Sequence, residues 1–519
     1  LPNGLSIVTA APQNPTKIGK VSLVGAGPGD PGLITMRGVE CLREATAILH
    51  DALANDELLG FAKPDCVVES VGKHGKGHLW TQSEIDSRMV QLAQQGHSVV
   101  RLKGGDPAVF ARTAEELDRL VREKIPFEVV PGITAALAAS SYAGIPITHR
   151  DWASAAAVIT GHSLAIDGGN EADEQIDWPA LARFPGTLVI YMGVTTAAQW
   201  SQALIGAGKA ASTPVALVRR CSLPDQQTIT CRLDEVASKL SSASDFRAPV
   251  IAIIGAVVPL GRRYDWFTQR RLFGQTVLLT RPIENAYRWT RELRNLGANV
   301  FNQPLIATHE IAHPTPRGPL PPASFLVLTS QQGVRSLFGH LQRNGQDARA
   351  LAPYKIATVG PATANEFRKF SIEPDLSLAK DLNADNLAEQ IIATSNDTPT
   401  SAIIFQASRS SGSLAAKLQS AGIQPIPIIG YEHRDVTTLD PSIAKALAEG
   451  LMDWTIVTSS LSAENLVRLT GETLRQTQLL AFSPKIASRL SDLGFPAVAV
   501  ARQCTLAAVI EAIEESVRQ

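Results

Sequence analysis

Along the first half of the chain, short apolar runs alternate with amphipathic stretches. Val21 to Gly25 (VSLVG) predicts a buried strand of the parallel type, a Gly/Pro turn follows, and residues 35–44 predict an amphipathic helix. The same alternation recurs at 99–102, 127–130, 156–160, 187–191, 214–218 and 250–254, with helical patterns between most of these runs. Repeated strand-helix alternation predicts an α/β fold. Near Gly261 the pattern gives way to GRRYDWFTQRRLFGQ, charged and aromatic, and a new strand, TVLLT, begins at Thr276. A module boundary is therefore expected between about Gly261 and Gln275. Residues 163–180, acidic and glycine-bearing, read as a surface loop inside the first module.

The second half repeats itself. TVLLTRPIENAYRWTRELRNLGANV (276–300) lies against SAIIFQASRSSGSLAAKLQSAGIQP (401–425) at an ungapped offset of 125, with Leu293 and Gly297 on Leu418 and Gly422. FLVLTSQQGVRSLF (325–338) resembles WTIVTSSLSAENLV (454–467), and VGPATANEF (359–367) more faintly resembles FSPKIASRL (482–490). The period is far longer than a solenoid unit, so the pattern is that of a duplicated α/β lobe. Two similar lobes imply a cleft between them.

Length and charge narrow the function classes. At 519 residues, with 45% apolar and 19% charged positions, the chain is expected to form about three or four globular domains. A formal net charge of −1 offers no global field for nucleic acid or an anionic membrane, so acidic ligands need local basic clusters. No apolar run approaches the roughly 18 residues that span a bilayer, and the first twenty residues lack a signal pattern, which makes the cytoplasm the expected location. The five cysteines (Cys41, Cys66, Cys221, Cys231, Cys504) are scattered without C-x-x-C spacing. They are expected to be reduced and mostly buried, with no metal site.

Candidate chemistry sits where strands end. Gly25-Ala26-Gly27-Pro28-Gly29-Asp30 fails the dinucleotide fingerprint, because Asp30 stands where G-x-G-x-x-G needs glycine. Alone, it is also what a ligand-free strand-to-helix turn looks like. Two further strands end in Lys103-Gly104-Gly105-Asp106-Pro107 and Pro131-Gly132-Ile133-Thr134-Ala135. In open α/β sheets the ligand crevice lies at these carboxyl ends, and glycine lets backbone amides approach a ligand. Between them, Lys73-His74-Gly75-Lys76-Gly77-His78 reads either as a solvated loop or, with Thr148-His149-Arg150 and Thr160-Gly161-His162, as a set of donors for a polyanion. Asp51 follows the apolar run ATAILH, which suits a partly desolvated base or an ordinary turn aspartate.

Taken in order, LVGAGPGDPGLITMRG, LHDAL, VGKHGKGH, VVRLKGGDPAVFAR, PFEVVPGITAALAASSYAGIPITHRD, VITGH, YMGV, PVALV, IIGAVV and DWF closely resemble the uroporphyrinogen-III C-methyltransferase family over residues 18–267. The resemblance implies the two-lobed tetrapyrrole methylase fold and S-adenosylmethionine as methyl donor. Matched by motif, Pro28, Gly104, Gly105, Asp106, Val109, Thr134, Ala135 and Met192 are implied donor contacts, Asp51 a proton acceptor and Lys73 a proton donor. His74, His78, Arg150 and His162 are the expected substrate contacts. After PVALV the family often has a Gly- or Ala-containing turn, whereas this chain has Arg219-Arg220-Cys221-Ser222. A homodimer through this half is also implied.

Residues 275–519 resemble the uroporphyrinogen-III synthase family, on LLTRP, LTSQQGV, VGPATA, the segment ending at Tyr431, and TSSLSAENL, supported by the duplication. The resemblance implies no metal or cofactor for this half, and lobes that exchange strands: one of about 275–306 plus 434–519, the other of about 307–433. Arg281, Thr329, Ser330, Thr363, Arg409 and Ser459 are the candidate holders of acetate and propionate groups. Tyr431, whose duplicated position is Ile306, is the candidate assistant to hydroxyl loss. Together the halves predict a bifunctional enzyme acting on anionic tetrapyrroles, feeding sirohaem or cobalamin synthesis. Without an NAD-binding module before residue 18, oxidation and iron insertion are not expected from this chain. Two alternatives stand: a catalytically silent second half that regulates the methylase, and a first half that methylates a later corrin or a diphthamide precursor. The full VGKHGKGH and GIPITHRD set argues against the second.

Overall fold

The computed structural model describes residues 18–72, 80–161, 176–241, 244, 246–315, 320–379, 383–395, 400–410 and 412–518. The chain forms two compact units, Leu1–Gln275 with Arg294–Asn299, and Thr276–Leu293 with Val300–Gln519.

The first unit opens with a parallel sheet of β1 (Val21–Gly25), β2 (Ala47–His50), β3 (Val67–Ser70), β4 (Val99–Lys103) and β5 (Phe127–Val130), ordered β3-β2-β4-β1-β5. Val24, Val100 and Leu102 pack with Cys41 and Leu42 of the helix Met36–Glu44 on one face. Leu23 and Val99 pack on the other with Met89 of Gln82–Gln94 and Leu120 of Thr113–Arg122. Covered on both faces, β1 and β4 are buried throughout, which is why β1 (VSLVG) reads as a largely apolar run, while β4 (VVRLK) is buried as fully although it carries two cations. From β1 the chain crosses β4 to reach β2, whereas from β4 it crosses β1 to reach β5. The two neighbours therefore send their loops in opposite directions, which opens a crevice at their carboxyl ends.

The second sheet holds β6 (Ala156–Thr160), β7 (Thr187–Tyr191), β8 (Pro214–Arg219), β9 (Gln227–Arg232) and β10 (Val250–Ile254), ordered β6-β7-β10-β8-β9. Only β6 and β7 run parallel; β10 is antiparallel to both β7 and β8, and β9 to β8. Strand direction was not legible in the sequence, because β10 is buried along its whole length and so carries the composition of a parallel strand. The expected boundary stretch is itself packed: Trp266 Nε1 donates to Ser141 O at 2.8 Å, and the Tyr142 ring lies 4.7 Å from that of Phe267.

In the second unit β11 (Thr276–Leu279), β12 (Asn299–Asn302), β13 (Ile306–Thr315), β14 (Phe325–Leu328), β15 (Lys355–Thr358), β16 (Leu376–Ser377), β17 (Ser401–Ala407), β18 (Gln424–Asp435), β19 (Trp454–Val457), β20 (Gln478–Ala481) and β21 (Ala499–Val500) build two sheets. Their orders are β12-β11-β19-β20-β21 and β13-β18-β17-β14-β15-β16. Apart from the edge strand β13, the orders correspond under the sequence repeat, with β11 matching β17, β19 matching β14 and β20 matching β15. Each copy of the repeat is thus divided between the sheets: the first gives β11 and β12 to one and β14 to β16 to the other, and the second does the reverse.

Cys41 and Cys221 are buried, but Cys66 and Cys231 are half-buried and Cys504 is exposed, so the expectation of mostly buried thiols fails. Cys504 precedes the last helix in a surface turn, its sulfur 3.4 Å from Phe482 O. Among the described residues no helix is long and apolar enough to cross a membrane, and no His/Cys/Asp/Glu group is placed to hold a metal ion.

Candidate active sites

Three loops meet above β1, β4 and β5. Gly27 and Gly105 exchange backbone hydrogen bonds, N to O at 3.1 and 2.8 Å, so the first and second glycine turns form one antiparallel bridge. A Cβ on Gly132 would lie 2.2 Å from Gly105 O and 2.8 Å from Gly25 Cα, and no side chain fits there. Asp106 fixes the third loop by accepting from Gly132 N at 2.9 Å through one oxygen and from Ala108 N at 2.7 Å through the other. Gly105 has φ +70°, and a Cβ there would meet nothing nearer than Ala135 N at 3.8 Å. The only atoms within 4 Å of that Cβ are backbone atoms of Thr134 and Ala135, so this side of Gly105 leaves room for a ligand to approach the backbone closely.

The second sheet meets these loops. Tyr191, at the end of β7, is hydrogen bonded through its hydroxyl to Thr134 Oγ1 and to Ala136 N, both at 2.6 Å, and burial pushes its pKa up. Beside it Met192 and Phe110 both hold left-handed backbone (φ 51°) with half-exposed apolar side chains, the Phe110 ring 5.2 Å from that of Tyr191. Pro28 and Val109 lie half-buried in the first and second loops. Ser222 Oγ accepts from Asp30 N at 3.0 Å. In the departing turn Arg220 and Ser222 take φ 49° and 69°, while Cys221 is buried with its sulfur 3.9 Å from Ala135 O and its thiol pushed by burial to about 12.

Asp51 projects from the end of β2 beside Gly104, whose amide donates to its Oδ2 at 3.3 Å. Its Oδ1 accepts from Arg101 at 2.5 Å, and Arg101 continues to Glu116, which also binds Lys103. Sequence reasoning missed this network, although two cations at alternate positions of an apolar strand (VVRLK) were its signal. Arg150 is exposed, in the 149–153 turn where the His149 ring stacks 4.7 Å from that of Trp152. Lys73, His74, His78 and His162 lie outside the described residues.

In the second unit most candidates follow the carboxyl ends of parallel strands. Ser330 after β14 and Ser459 after β19 are matching helix N-caps, each accepting from the amide three residues on at 3.0 Å. Their second partners differ: Ser330 binds the Tyr431 hydroxyl at 2.8 Å, whereas Ser459 binds Ser462 at 2.8 Å. Tyr431, on β18, is buried and its pKa is raised by that burial. Thr329 is half-buried beside Ser330, and Thr363 is buried in the first turn of Pro361–Arg368. Arg409 pairs with Asp435 at 2.6 Å, and Asp435 also accepts from Asn465 at 2.9 Å, so this guanidinium is already engaged. Arg281 differs. Its guanidinium stacks 4.2 Å from the centre of the Trp289 ring and 5.9 Å from that of Phe482, burial lowers its pKa, and no carboxylate is recorded against it among the described residues.

A family profile described as Tetrapyrrole (Corrin/Porphyrin) Methylases matches residues 20–237, and one described as Uroporphyrinogen-III synthase HemD matches residues 288–511. The chain is similar to Porphyrin biosynthesis protein HemD of Ruminiclostridium josui, at 33% identity over 86% of this chain and 88% of that protein. It is similar to Uroporphyrinogen-III C-methyltransferase of Bacillus subtilis, at 38% over 69% and 74% respectively. With Siroheme synthase 1 of Yersinia enterocolitica the identity is 46% over 49% of this chain, which spans about half the length of that relative (52%). Fold and sites thus define the class, a two-part α/β enzyme of tetrapyrrole biosynthesis. The chain belongs to the family in which a uroporphyrinogen-III C-methyltransferase is fused to a uroporphyrinogen-III synthase.

Proposed function

We propose that the second unit closes hydroxymethylbilane to uroporphyrinogen III with inversion of the last ring, and that the first methylates this product twice with S-adenosylmethionine to precorrin-2. The observation that carries the reading is the backbone cradle of Gly27, Gly105 and Gly132 with Asp51 on its rim. S-adenosylmethionine, held by the turns at Pro28, Gly104 to Val109 and Thr134 to Ala135 with Met192, supplies an electrophilic methyl group. The chain's part is to hold a nucleophilic pyrrole carbon in line with that methyl, a task of positioning more than of acid strength. Methyl transfer makes an already substituted pyrrole carbon quaternary and leaves the ring cationic, so the proton that restores neutrality must leave the ring nitrogen or an adjacent methylene bridge. The Asp51 carboxylate takes it.

In the second unit the linear substrate loses its hydroxyl as water and closes. Arg281, stacked on the Trp289 ring with the Phe482 ring 5.9 Å away, holds a substrate carboxylate, while Tyr431, bonded to Ser330, is the candidate to assist departure of the hydroxyl. The reading includes a homodimer through the methyltransferase half and a cytoplasmic setting, both carried by the family resemblance. Its test is the product spectrum of the purified chain supplied with hydroxymethylbilane. Uroporphyrinogen III is expected without S-adenosylmethionine and precorrin-2 with it. Formation of only the type I isomer, which arises by spontaneous closure, would overturn the synthase assignment and support a silent second unit.

A further inference from the structure

Strand β4 is buried on both faces, yet it carries Arg101 and Lys103, 3% and 2% exposed, both paired with Glu116, which is wholly buried. Three charges withdrawn from water are an expensive way to hold a strand, since well-packed apolar side chains do so at least as well. What distinguishes the cluster is where it ends. Of its members only Asp51, 31% exposed, reaches the crevice.

The guanidinium of Arg101 has no freedom. Nε donates to Glu116 Oε1 at 3.0 Å, Nη1 to the carbonyls of Leu49 and Leu102 at 3.4 and 3.3 Å, and Nη2 to Asp51 Oδ1 at 2.5 Å. Glu116 is fixed in turn by Lys103 Nζ at 2.6 Å. A planar fork can span two carboxylates in this way and a point ammonium cannot. One oxygen of Asp51 is thereby pinned from below, while the other accepts from the amide of Gly104, the residue after Lys103 and a part of the donor loop.

We propose that Arg101, braced by Glu116, is a positioning residue for methyl transfer: it orients the Asp51 carboxylate toward the reacting ring and keeps it in register with the donor loop. The inference rests on the reading of Asp51 as the proton acceptor. Arg101, only 3% exposed, does not reach the crevice and acts through Asp51.

A double-mutant cycle on the full chain separates this role from mere support of the fold. Arg101→Lys is expected to lower kcat for uroporphyrinogen III methylation roughly 10- to 100-fold, with affinity for S-adenosylhomocysteine kept within about twofold. In an Asp51→Asn background the same change should cost nothing further. Should Arg101→Lys fail to fold, Glu116→Asp, which keeps every charge and shortens the brace, carries the same expectation. An equal loss of rate in both backgrounds would overturn the inference while leaving Asp51 as the base. Wild-type turnover by Asp51→Asn would instead remove the base and the inference with it.

Discussion

The two units make their sites by different means. In the methylase unit, backbone does most of the work: loops from three neighbouring strands touch through Gly25, Gly27, Gly105 and Gly132, and the Asp51 carboxylate is anchored in a buried ionic cluster. In the synthase unit the candidates are side chains contributed from two separate sheets, among them Ser330 and Ser459, related by the duplication and set at helix N-caps with their hydroxyls already partnered. The contrast follows the chemistry. A methyl transferred in line tolerates little misplacement, so its site is rigid, whereas closing a long flexible substrate needs groups that can be reached from two lobes.

The largest expected effects break each unit alone. Gly132→Val would drive a side chain into the Gly105 carbonyl, and methylation should fall at least roughly 100-fold with the synthase rate unchanged. Its counterpart is Gly430→Ala, whose Cβ would sit 1.9 Å from Cε1 of the buried Phe405 ring. Overpacking of this kind costs about 1–3 kcal/mol or more, so the second unit should melt earlier and lose synthase activity while methylation persists. Paired assays on both variants check the contrast, and loss of both activities in either variant would show that the units do not work independently.

Next in size is the rim carboxylate. Asp51→Asn keeps the shape and removes the base, so methylation should drop by about 10² or more if proton removal limits the rate, with S-adenosylhomocysteine binding retained. Single-turnover kinetics and calorimetry measure the two separately.

How far this contrast was legible in the sequence differs between the units. The glycine turns and Asp51 could be read because each ends a local apolar run. Glu116 could not, since within TAEELDRLVR it looks like any glutamate of an amphipathic helix, and only the fold sets it against Arg101 and Lys103. The Tyr191–Thr134 bond spans 57 residues and leaves no local trace. In the second unit the duplication was plain at an offset of 125. An offset does not say which sheet each half-repeat joins, because pairing of β11 with β19 is decided by contacts far apart in the chain.

Arg281 sharpens the comparison from the synthase side. As a cation stacked on an aromatic ring with no carboxylate against it among the described residues, it has charge to offer a substrate, unlike Arg409. Arg281→Gln should raise KM for hydroxymethylbilane by about tenfold, the loss of one charge-assisted contact, with a smaller change in kcat. An unchanged KM would return Arg281 to a packing role.

Tyr431→Phe carries the smallest expected effect. The ring is buried and its hydroxyl meets Ser330 Oγ, which keeps its bond from Gly333 N when the tyrosine hydroxyl is gone. Removing one such bond should cost about 1 kcal/mol of stability in the second unit. Any loss of rate beyond that must come from chemistry, because the phenylalanine ring refills the space. The rate of closure and the ratio of type III to type I product separate the outcomes. A fall in rate with more type I product places the hydroxyl in the loss of water. If both stay as in the wild type, closure depends on positioning alone, and Tyr431 belongs with the packing that positions the substrate.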